Sequence, residues 1–459
     1  MRRKNAWTTY NKKQLDELEK LCKNYLKFLD KGKTERECVK QIVKQAEEKG
    51  YVNLADITKD KKALKAGDKV YSVCMDKTVA LFQIGKKKLE KGMNILGAHI
   101  DSPRMDVKQN PLYESEEFVY LDTHYYGGIK KYQWVTLPLA LHGVVVKKDG
   151  TVITVNVGED KNDPVFCVTD LLIHLAGEQM EKKANKVIEG ENLDVLVGSK
   201  PLEGKEKDAV KEGILEILKE KYDMTEEDFM SAEIEVVPAG HAREAGLDHS
   251  MVMSYGQDDR VCAYTSLAAM LEVEEVEKTT CCLLTDKEEI GSVGATGMQS
   301  RFFENSVAEL MDAMGEFSEL SLRRCLANSS MLSSDVNAAY DPLFANAFEK
   351  NNASYFGRGV VFSKFTGSRG KSGSNDANAE YIARIRKMMD KNEVCFQTAE
   401  LGKVDVGGGG TIAYILSLYG MEVIDCGVAV LNMHAPMEVV SKVDVYETYQ
   451  AYKAFLKDA

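Results

Sequence analysis

The sequence predicts an α/β fold: a mixed sheet with helices on both faces, interrupted by a smaller β-rich domain. Before residue 109 and after residue 249, short apolar runs typical of buried strands alternate with longer stretches of helical periodicity. Residues 109–249 are instead rich in valine, tyrosine and threonine, with turn residues between the runs. Several apolar runs outside that middle segment end in a histidine or a carboxylate, which predicts a site at the edge of the sheet.

The first segment, residues 1–108, begins with two predicted helices. Leucines recur at helical spacing among lysines and glutamates in residues 11–31, and residues 35–49 continue the pattern. Two predicted strands follow, Thr78–Ile84 and Met93–Gly97. The second of them leads directly into a histidine, and it is therefore the first strand of interest for function.

The middle segment, residues 109–249, is expected to be an inserted domain. Gly143–Val157 has the pattern of a β-hairpin that turns at Asp149-Gly150. Residues 181–220 are rich in lysine and glutamate and predict solvated helix and loop. No spacing typical of metal ligands occurs in this segment, so we expect the chemistry elsewhere.

The last segment, residues 250–459, returns to the α/β pattern. Its main predicted strands are Cys281–Thr285, Met421–Asp425 and Val428–Leu431. Its main predicted helices are Val261–Glu274, Asp376–Lys391 and Val443–Leu456. Such alternation favours a largely parallel sheet, so residues 1–108 and 250–459 are expected to form one discontinuous catalytic domain.

Composition and charge argue against several classes of function. The 459 residues are 44% hydrophobic and 29% charged, an ordinary globular balance. A net charge of −12 argues against nucleic acid and anionic membranes as partners, because both attract basic surfaces. The sequence has no apolar run of about 18 residues that could span a membrane, and its N-terminus lacks the apolar stretch of a secretory signal. Ten cysteines without Cys-x-x-Cys spacing are typical of a reducing compartment, so we expect a cytoplasmic protein.

The segment around His99 carries the first indication of chemistry. His99 and Asp101 lie two residues apart at the end of an apolar run, so in a strand their side chains would share one face. One of them could bind a metal while the other orients a neighbouring ligand. A buried strand that ends in a polar turn would show the same pattern, so this segment alone does not distinguish a metal site from a structural strand end.

Four later segments favour a metal site. They contribute adjacent aspartates at a predicted helix start, consecutive glutamates after a strand, an aspartate after two serines, and a second histidine at a strand end: Asp258, Asp259, Glu288, Glu289, Asp335 and His434. Each segment alone is weak evidence for a metal site. Together, their side chains and His99 could bind two divalent cations that share Asp258. One cation would take His99 and Asp335, and the other Glu289 and His434. Imidazole and carboxylate ligands suit zinc best, with cobalt and manganese as alternatives.

In this order along the chain, the segments resemble the aspartyl aminopeptidase and aminopeptidase I family of dinuclear metallopeptidases. The matching motifs are Gly97-Ala-His-Ile-Asp-Ser-Pro103, Tyr255-Gly-Gln-Asp-Asp-Arg260, Glu288-Glu-Ile-Gly291 and Asn432-Met-His434. The resemblance implies that the metal ligands are His99, Asp258, Glu289, Asp335 and His434. It also implies that Glu288 is the general base, a choice that adjacency alone does not make. Some members carry histidines shortly after the aspartate of the third later segment, whereas residues 336–341 here contain none.

The resemblance further implies a reaction and an assembly. The reaction is removal of the N-terminal residue from peptides by a hydroxide that bridges two cations, and we expect Asp101 to support a ligand histidine or its neighbourhood. The inserted segment would be a dimerisation domain, with homodimers that build a dodecamer. His174 would then reach the active site of a neighbouring subunit, although a histidine in so apolar a stretch is more commonly a core residue.

Other interpretations are compatible with parts of the pattern. A carboxypeptidase or deacylase on a related dinuclear scaffold needs a cationic clamp, for which Arg104 and Arg260 are available. A nucleotide-binding protein could use the glycine run Gly407–Gly410 before an apolar helix, but the run lacks a Gly-Lys-Ser/Thr ending. A structural metal protein would leave Glu288 without a role.

The preferred N-terminal residue is either acidic or neutral. Acid-selective members of the family carry a lysine near the segment Gly359–Arg369, at a position that corresponds to either Ser363 or Lys364. Neighbouring residues on a strand face opposite ways, so the difference of one residue matters. Phe362 and Phe365 offer apolar lining, which favours neutral residues such as leucine.

Overall fold

A computed structural model describes residues 4–459. The chain forms two compact units: the first comprises the chain up to Asp101 with Ala242–Met433 and Met437–Ala459, and the second comprises Ser102–His241 with His434–Pro436. The first boundary lies nearer the N-terminus than the predicted residue 109, because a long strand of the second unit already begins at Arg104. The return point likewise precedes the predicted residue 249, because strand pairing of the first unit resumes at Arg243.

The helices found within residues 4–459 are α1 (Lys12–Lys31), α2 (Glu35–Glu48), α3 (Leu54–Lys59), α4 (Gly177–Met180), α5 (Ala209–Tyr222), α6 (Gln257–Glu272), α7 (Phe302–Ala313), α8 (Glu319–Ala327), α9 (Ala379–Lys391), α10 (Ala413–Ser417) and α11 (Lys442–Asp458). The predicted helices correspond to α1, α2, α6, α9 and α11, with ends that differ by a few residues. Capping boxes begin both N-terminal helices, at Asn11 with Gln14 and at Thr34 with Glu37.

The strands in the same part of the chain are β1 (Val52–Asn53), β2 (Lys69–Cys74), β3 (Thr78–Gln83), β4 (Asn94–His99), β5 (Arg104–Ser115), β6 (Phe118–Tyr126), β7 (Leu139–Val146), β8 (Val152–Val157), β9 (Val195–Gly198), β10 (Ala232–Pro238), β11 (Arg243–Ala245), β12 (Met251–Ser254), β13 (Thr280–Thr285), β14 (Ser330–Ser334), β15 (Asn337–Ala338), β16 (Val360–Ser363), β17 (Phe396–Thr398), β18 (Glu422–Gly427), β19 (Ala429–Leu431) and β20 (Glu438–Ser441).

Within residues 4–459, the first unit is built on a nine-stranded mixed sheet, whose strand order is β1-β2-β3-β13-β4-β14-β18-β16-β17. Its central strands β13, β4, β14 and β18 are parallel, so their carboxyl ends meet at one edge. Apolar side chains pack on both faces, with α1, α2, α6, α9 and α11 on one and α3, α7, α8 and α10 on the other. The predicted α/β class, with helices on both faces, is confirmed.

One predicted strand lies outside the main sheet. β19 follows β18 after a single residue, but it pairs with β15 and β20 in a five-stranded sheet of order β11-β12-β20-β19-β15. At the junction, a Cβ on Gly427 would lie 1.9 Å from the Asp335 carbonyl oxygen, so only glycine allows this close approach. The expectation that Val428–Leu431 would extend the main α/β sheet is therefore wrong.

The second unit contains an antiparallel six-stranded sheet of order β8-β7-β10-β5-β6-β9. The predicted hairpin is formed by β7 and β8, and its turn is closed by a hydrogen bond from the Lys147 N–H to the Thr151 carbonyl at 2.9 Å. Gly150 has φ 87°, the left-handed conformation that glycine adopts without strain. The lysine- and glutamate-rich stretch ends in α5, which packs against β5, β6 and β9. Among the described residues, none of the helices has the length and apolar character needed to span a bilayer.

Candidate metal centre

His99 ends strand β4 and is almost completely buried. Its Nδ1 lies 3.2 Å from Asp101 Oδ1, on the side of the ring that faces away from the other carboxylates. Its Nε2 lies 3.3 Å from Asp258 Oδ1, 3.8 Å from Glu288 Oε2 and 4.0 Å from Asp335 Oδ1. One ring nitrogen is thus held in orientation while the other points into a cluster of carboxylates, the arrangement that metal-ligating histidines show.

Asp258 lies where the chain enters α6. Gly256 has φ 69°, and Asp258 and Asp259 have non-helical backbone angles before the regular helix begins. The peptide bond between the two aspartates is cis. The Asp258 N–H donates a hydrogen bond of 2.9 Å to a carboxylate oxygen of Glu438, a buried residue of β20. Because Asp258 departs from helical φ/ψ angles, its side chain is not held on the helix surface, and its Oδ1 lies 3.3 Å from His99 Nε2.

Glu288 and Glu289 occupy a single 3₁₀ turn, Glu288–Ile290, directly after β13. Lys287 and Gly291 on either side of the turn have φ 69° and 93°, so the chain reverses sharply at the sheet edge. Asp101 binds the turn: its Oδ1 accepts the Glu288 N–H and its Oδ2 accepts the Glu289 N–H, both at 3.1 Å. Asp101 therefore orients a histidine and both glutamates at once.

Three groups of ligand atoms lie close enough to hold an ion, each with all atoms within 4.8 Å of one another. They are His99 with Asp258 and Glu289, His99 with Glu288 and Asp335, and Asp258 with Asp259 and Asp335. Four of the five predicted ligands are brought together in this way. The fifth, His434, occurs in none of these groups among residues 4–459; it follows β19 with φ 65°, and its Nδ1 lies 2.9 Å from the Gly128 carbonyl oxygen.

Electrostatics favours a cation here. Burial raises the pKa of Asp335 well above its usual range, and the neighbouring charges of Asp259, Glu288 and Asp258 raise it further. Burial by itself lowers the pKa of His99, but hydrogen bonds to Asp101 and Asp258 overcome this and raise it well above its usual value. Carboxylates thus outnumber cationic groups in a buried space, and imidazole with carboxylate oxygens is the donor set that suits zinc.

His174 is exposed, which excludes the interpretation as a core residue. It lies within a short apolar stretch of the second unit in which Leu172, Ile173 and Leu175 are also exposed, the last two at 68% and 69%. Exposed contiguous apolar side chains commonly mark an interaction surface.

One residue of the centre, Glu438, was not singled out from the sequence, and another, Arg260, was considered there only as a possible cationic clamp. Glu438 holds the backbone of Asp258, and nothing distinguishes it from other glutamates in a strand except its position among apolar neighbours. Arg260 is fully buried: its Nε donates to the Ile100 carbonyl at 3.2 Å and its Nη2 to the Lys33 carbonyl at 2.9 Å. It therefore fixes the main chain between His99 and Asp101, and its role is structural.

Known proteins match this chain over nearly its whole length, both in sequence and in structure. The family profile described as aminopeptidase I zinc metalloprotease (M18) matches residues 28–456. A probable M18 family aminopeptidase 1 from Clostridium acetobutylicum is 62% identical over 456 residues, which cover 99% of this chain and 98% of the relative. The crystal structure of an M18 family aminopeptidase from Thermotoga maritima has a TM-score of 0.95 at 46% identity, with 100% of both chains covered.

A more distant structure shares the fold. The mApe1 dodecamer of S. cerevisiae has a TM-score of 0.76 at 20% identity, over 96% of this chain and 97% of that one. The resemblance inferred from the sequence motifs is confirmed by the family match. On that match the chain belongs to the M18 family, and it is an aminopeptidase of the zinc metalloprotease class.

Proposed function

We propose that the centre holds two zinc ions that share Asp258, and that Glu288 is the general base for removal of the N-terminal residue of peptides. The observation that carries the proposal is the convergence of a ring nitrogen of His99 with carboxylate oxygens of Asp258 and Glu289, all within 4.8 Å of one another. Asp335 shares a second such group with His99. His434 would complete the ligand set, as the family resemblance implies.

Charge supports two ions rather than one. Asp258, Glu289 and Asp335 together balance three of the four positive charges of two Zn²⁺ ions. The remaining positive charge favours an anionic nucleophile and the oxygen of a polarised carbonyl. Zinc bound there by these carboxylates and His99 would polarise the scissile carbonyl and lower the pKa of a bound water.

The chain's own residues move the proton and hold the geometry. The Glu288 carboxylate takes the proton of the attacking water and donates it to the leaving amine. Asp101 supports that role, because it holds the backbone N–H of Glu288 and so fixes the turn from which the carboxylate projects. Arg260 keeps the end of β4 in place through the Ile100 carbonyl.

The roles of the two glutamates are tested with a matched pair of variants, Glu288→Gln and Glu289→Gln. Each keeps the size and polarity of the side chain. Glu288→Gln should keep its zinc and lose roughly 10²–10⁴-fold or more in kcat on leucyl-p-nitroanilide, since one group serves as base and then acid. Glu289→Gln should lose zinc, as measured by atomic absorption after dialysis.

A second pair of consecutive glutamates provides the control. Glu116 lies at the exposed turn between β5 and β6, and Glu116→Gln should change neither zinc content nor activity. Full activity in Glu288→Gln, or an exchange of the two phenotypes, would show that the roles are assigned wrongly.

The alternative functions lack support in the site. The arginines that a carboxypeptidase would need are engaged: Arg260 binds main-chain carbonyls, and Arg104 pairs with Glu235 at 3.1 Å and stacks on the Tyr126 ring at 3.9 Å. The glycine run Gly407–Gly410 leads into a helix of only five residues, so the helix dipole offers little for a phosphate.

For the N-terminal residue of the substrate, we propose a neutral side chain such as leucine. Lys364 is exposed, whereas Ser363 is buried and its hydroxyl accepts a hydrogen bond of 3.1 Å from Asn337 Nδ2. An acidic side chain needs a cation in its pocket, because an unpaired buried carboxylate is costly. The inward residue at this strand end supplies no such charge.

We also propose a homo-oligomer, with the second unit as the dimerisation domain and dimers that build a dodecamer. The exposed apolar side chains around His174 support an interface in that unit, and a dodecamer is the assembly of the yeast mApe1 structure. In such an assembly His174 would act in the site of a neighbouring subunit. All ten cysteines are free thiols, which supports a reducing compartment such as the cytoplasm.

A further inference from the structure

Asp425 is a buried carboxylate to which the reaction above gives no role. It lies in β18 with 3% of its surface exposed, and its Oδ1 accepts a hydrogen bond of 2.5 Å from the Thr411 hydroxyl. Its Oδ2 has no hydrogen-bond partner among the described residues. Burial raises the pKa of Asp425 to about 7. A carboxylate buried with one oxygen unpartnered costs stability, so packing alone does not account for it.

The strand register puts Asp425 beside the metal centre. Asp425 pairs with Ser333 across β18 and β14, and the two side chains therefore lie on the same face of the sheet. Asp335, a proposed ligand, comes two residues after Ser333, directly beyond the end of β14. The negative charge of Glu288 contributes to the raised pKa of Asp425, which is consistent with this proximity.

Thr411 joins Asp425 to the glycine segment, residues 407–410. The next residue, Ile412, lies over β4: its Cδ1 is 3.5 Å from the position of a Cβ built on Gly97, two residues before His99. Residues 411–412 thus lie on the face of the sheet formed by β18, β14 and β4, at the level of Asp425, Ser333 and Gly97. Along their strands, Ser333 and Gly97 come two residues before the proposed ligands Asp335 and His99. The C-terminal end of the glycine segment therefore lies next to the proposed centre.

The glycine segment packs backbone to backbone against a neighbouring loop. The Gly409 N–H donates to the Thr366 carbonyl at 3.1 Å. A Cβ on Gly408 would lie 2.7 Å from the Gly367 carbonyl oxygen, so this contact requires glycine. Four successive glycines have wide conformational freedom and no side chains with which to hold a position. Such a segment depends on fixed ends.

We infer that the hydrogen bond between Thr411 and Asp425 anchors the glycine segment as one wall of the cleft that receives the peptide. Asp425 and Thr411 are thus positioning residues for the aminopeptidase reaction. The inference rests on the proposed location of the metal centre. Loss of the anchor would leave the segment to be ordered when the peptide binds, and that ordering entropy weakens binding more than it slows the chemical step.

The test compares Thr411→Val with Thr411→Ser in the full-length zinc-loaded enzyme. Valine removes the hydroxyl at nearly constant volume, while serine retains it. In Thr411→Val, KM for leucyl-p-nitroanilide should rise about tenfold, equivalent to about 1.4 kcal/mol, with kcat within about twofold of wild type. Thr411→Ser should restore the wild-type KM. Zinc content should not change in either variant.

Hydrogen–deuterium exchange gives a readout that needs no turnover, so it reports on the anchor even if the metal assignment fails. Backbone amides of residues 406–411 should exchange faster in Thr411→Val and at the wild-type rate in Thr411→Ser. Thr448→Val is the control, because its buried hydroxyl in α11 has no hydrogen-bond partner among the described residues. It should alter neither KM nor exchange at the glycine segment.

Asp425→Ala separates positioning from chemistry. Alanine removes the acceptor of the Thr411 hydroxyl, so KM should rise about as much as in Thr411→Val, with the pH profile of kcat unshifted. A large loss of kcat with a shifted pH profile would make Asp425 a proton-transfer group and overturn the inference. Unchanged KM and unchanged exchange in Thr411→Val would overturn it as well.

Discussion

Replacing Asp101 with asparagine tests how the proposed metal centre is held together. The Asp101 carboxylate lies 3.2 Å from His99 Nδ1 and accepts the N–H groups of Glu288 and Glu289 at 3.1 Å each. It is completely buried. An amide of the same size has one acceptor oxygen and an NH₂ group, which must face at least one of these donors. The substitution therefore loses at least one hydrogen bond. It also places the amide NH₂ group against an N–H donor.

The size of the effect follows from that geometry. A hydrogen bond to a charged group contributes about 1.5–3 kcal/mol, so the loss of one should weaken zinc binding or kcat/KM by about ten- to hundredfold. Zinc affinity is measured by competition with a chromogenic chelator, and kcat/KM on leucyl-p-nitroanilide with zinc in excess. Both quantities within twofold of wild type would refute the role given to Asp101.

Asp444 offers a matched control for general destabilisation. It is also buried, and its carboxylate accepts two backbone N–H groups, from Gly357 at 2.8 Å and Gly359 at 2.7 Å. Asp444→Asn should therefore lower the free energy of unfolding of the apo protein to a similar extent as Asp101→Asn. It should leave zinc affinity unchanged, since none of the groups it holds belongs to the metal centre.

Three further predictions concern metal, assembly and specificity. A chelator should abolish activity. If two ions are bound as proposed, Asp258→Ala should retain less than one zinc per chain; two tightly held ions in that variant would contradict the bridging role of Asp258. His174→Ala should reduce turnover but keep zinc. Mixing His174→Ala chains with Glu288→Gln chains should restore some activity, because hybrid sites would combine an intact His174 with an intact Glu288. No recovery despite proven subunit exchange would argue against action in trans. Lys364→Leu should leave the preference for leucyl over aspartyl anilides nearly unchanged; a tenfold higher kcat/KM for the aspartyl substrate in wild type, about 1.4 kcal/mol, would contradict the neutral preference.

Local pattern was enough to predict most of the secondary structure of the first unit. Helical leucine spacing and the capping residues define α1 and α2, and the apolar run before His99 defines β4. β19 was assigned to the wrong sheet, because a short apolar run looks the same in either one. The difference depends on the close approach at Gly427, which is a tertiary contact.

The ligand types could be predicted from the sequence, but their supporting contacts could not. The hydrogen bonds from the Glu288–Glu289 turn to Asp101 join residues far apart in the chain, and no local pattern encodes them. The same holds for Glu438, which binds the Asp258 N–H. The exposure of His174 could likewise not be predicted. Apolar neighbours in the sequence predict burial, but they do not show whether the side chains are buried in the core of the chain or in an interface with another subunit.

The dispersal of the proposed ligands over β4, α6, β13 and β14 makes activity a late event in folding. No local segment contains more than a fragment of the set, so the centre forms only when long-range strand pairing is complete, which is the slow part of folding in such topologies. A nascent or partly folded chain would therefore be inert as a peptidase. Zinc uptake would in turn be selective for chains that have finished folding, and the metal would stabilise them against reopening.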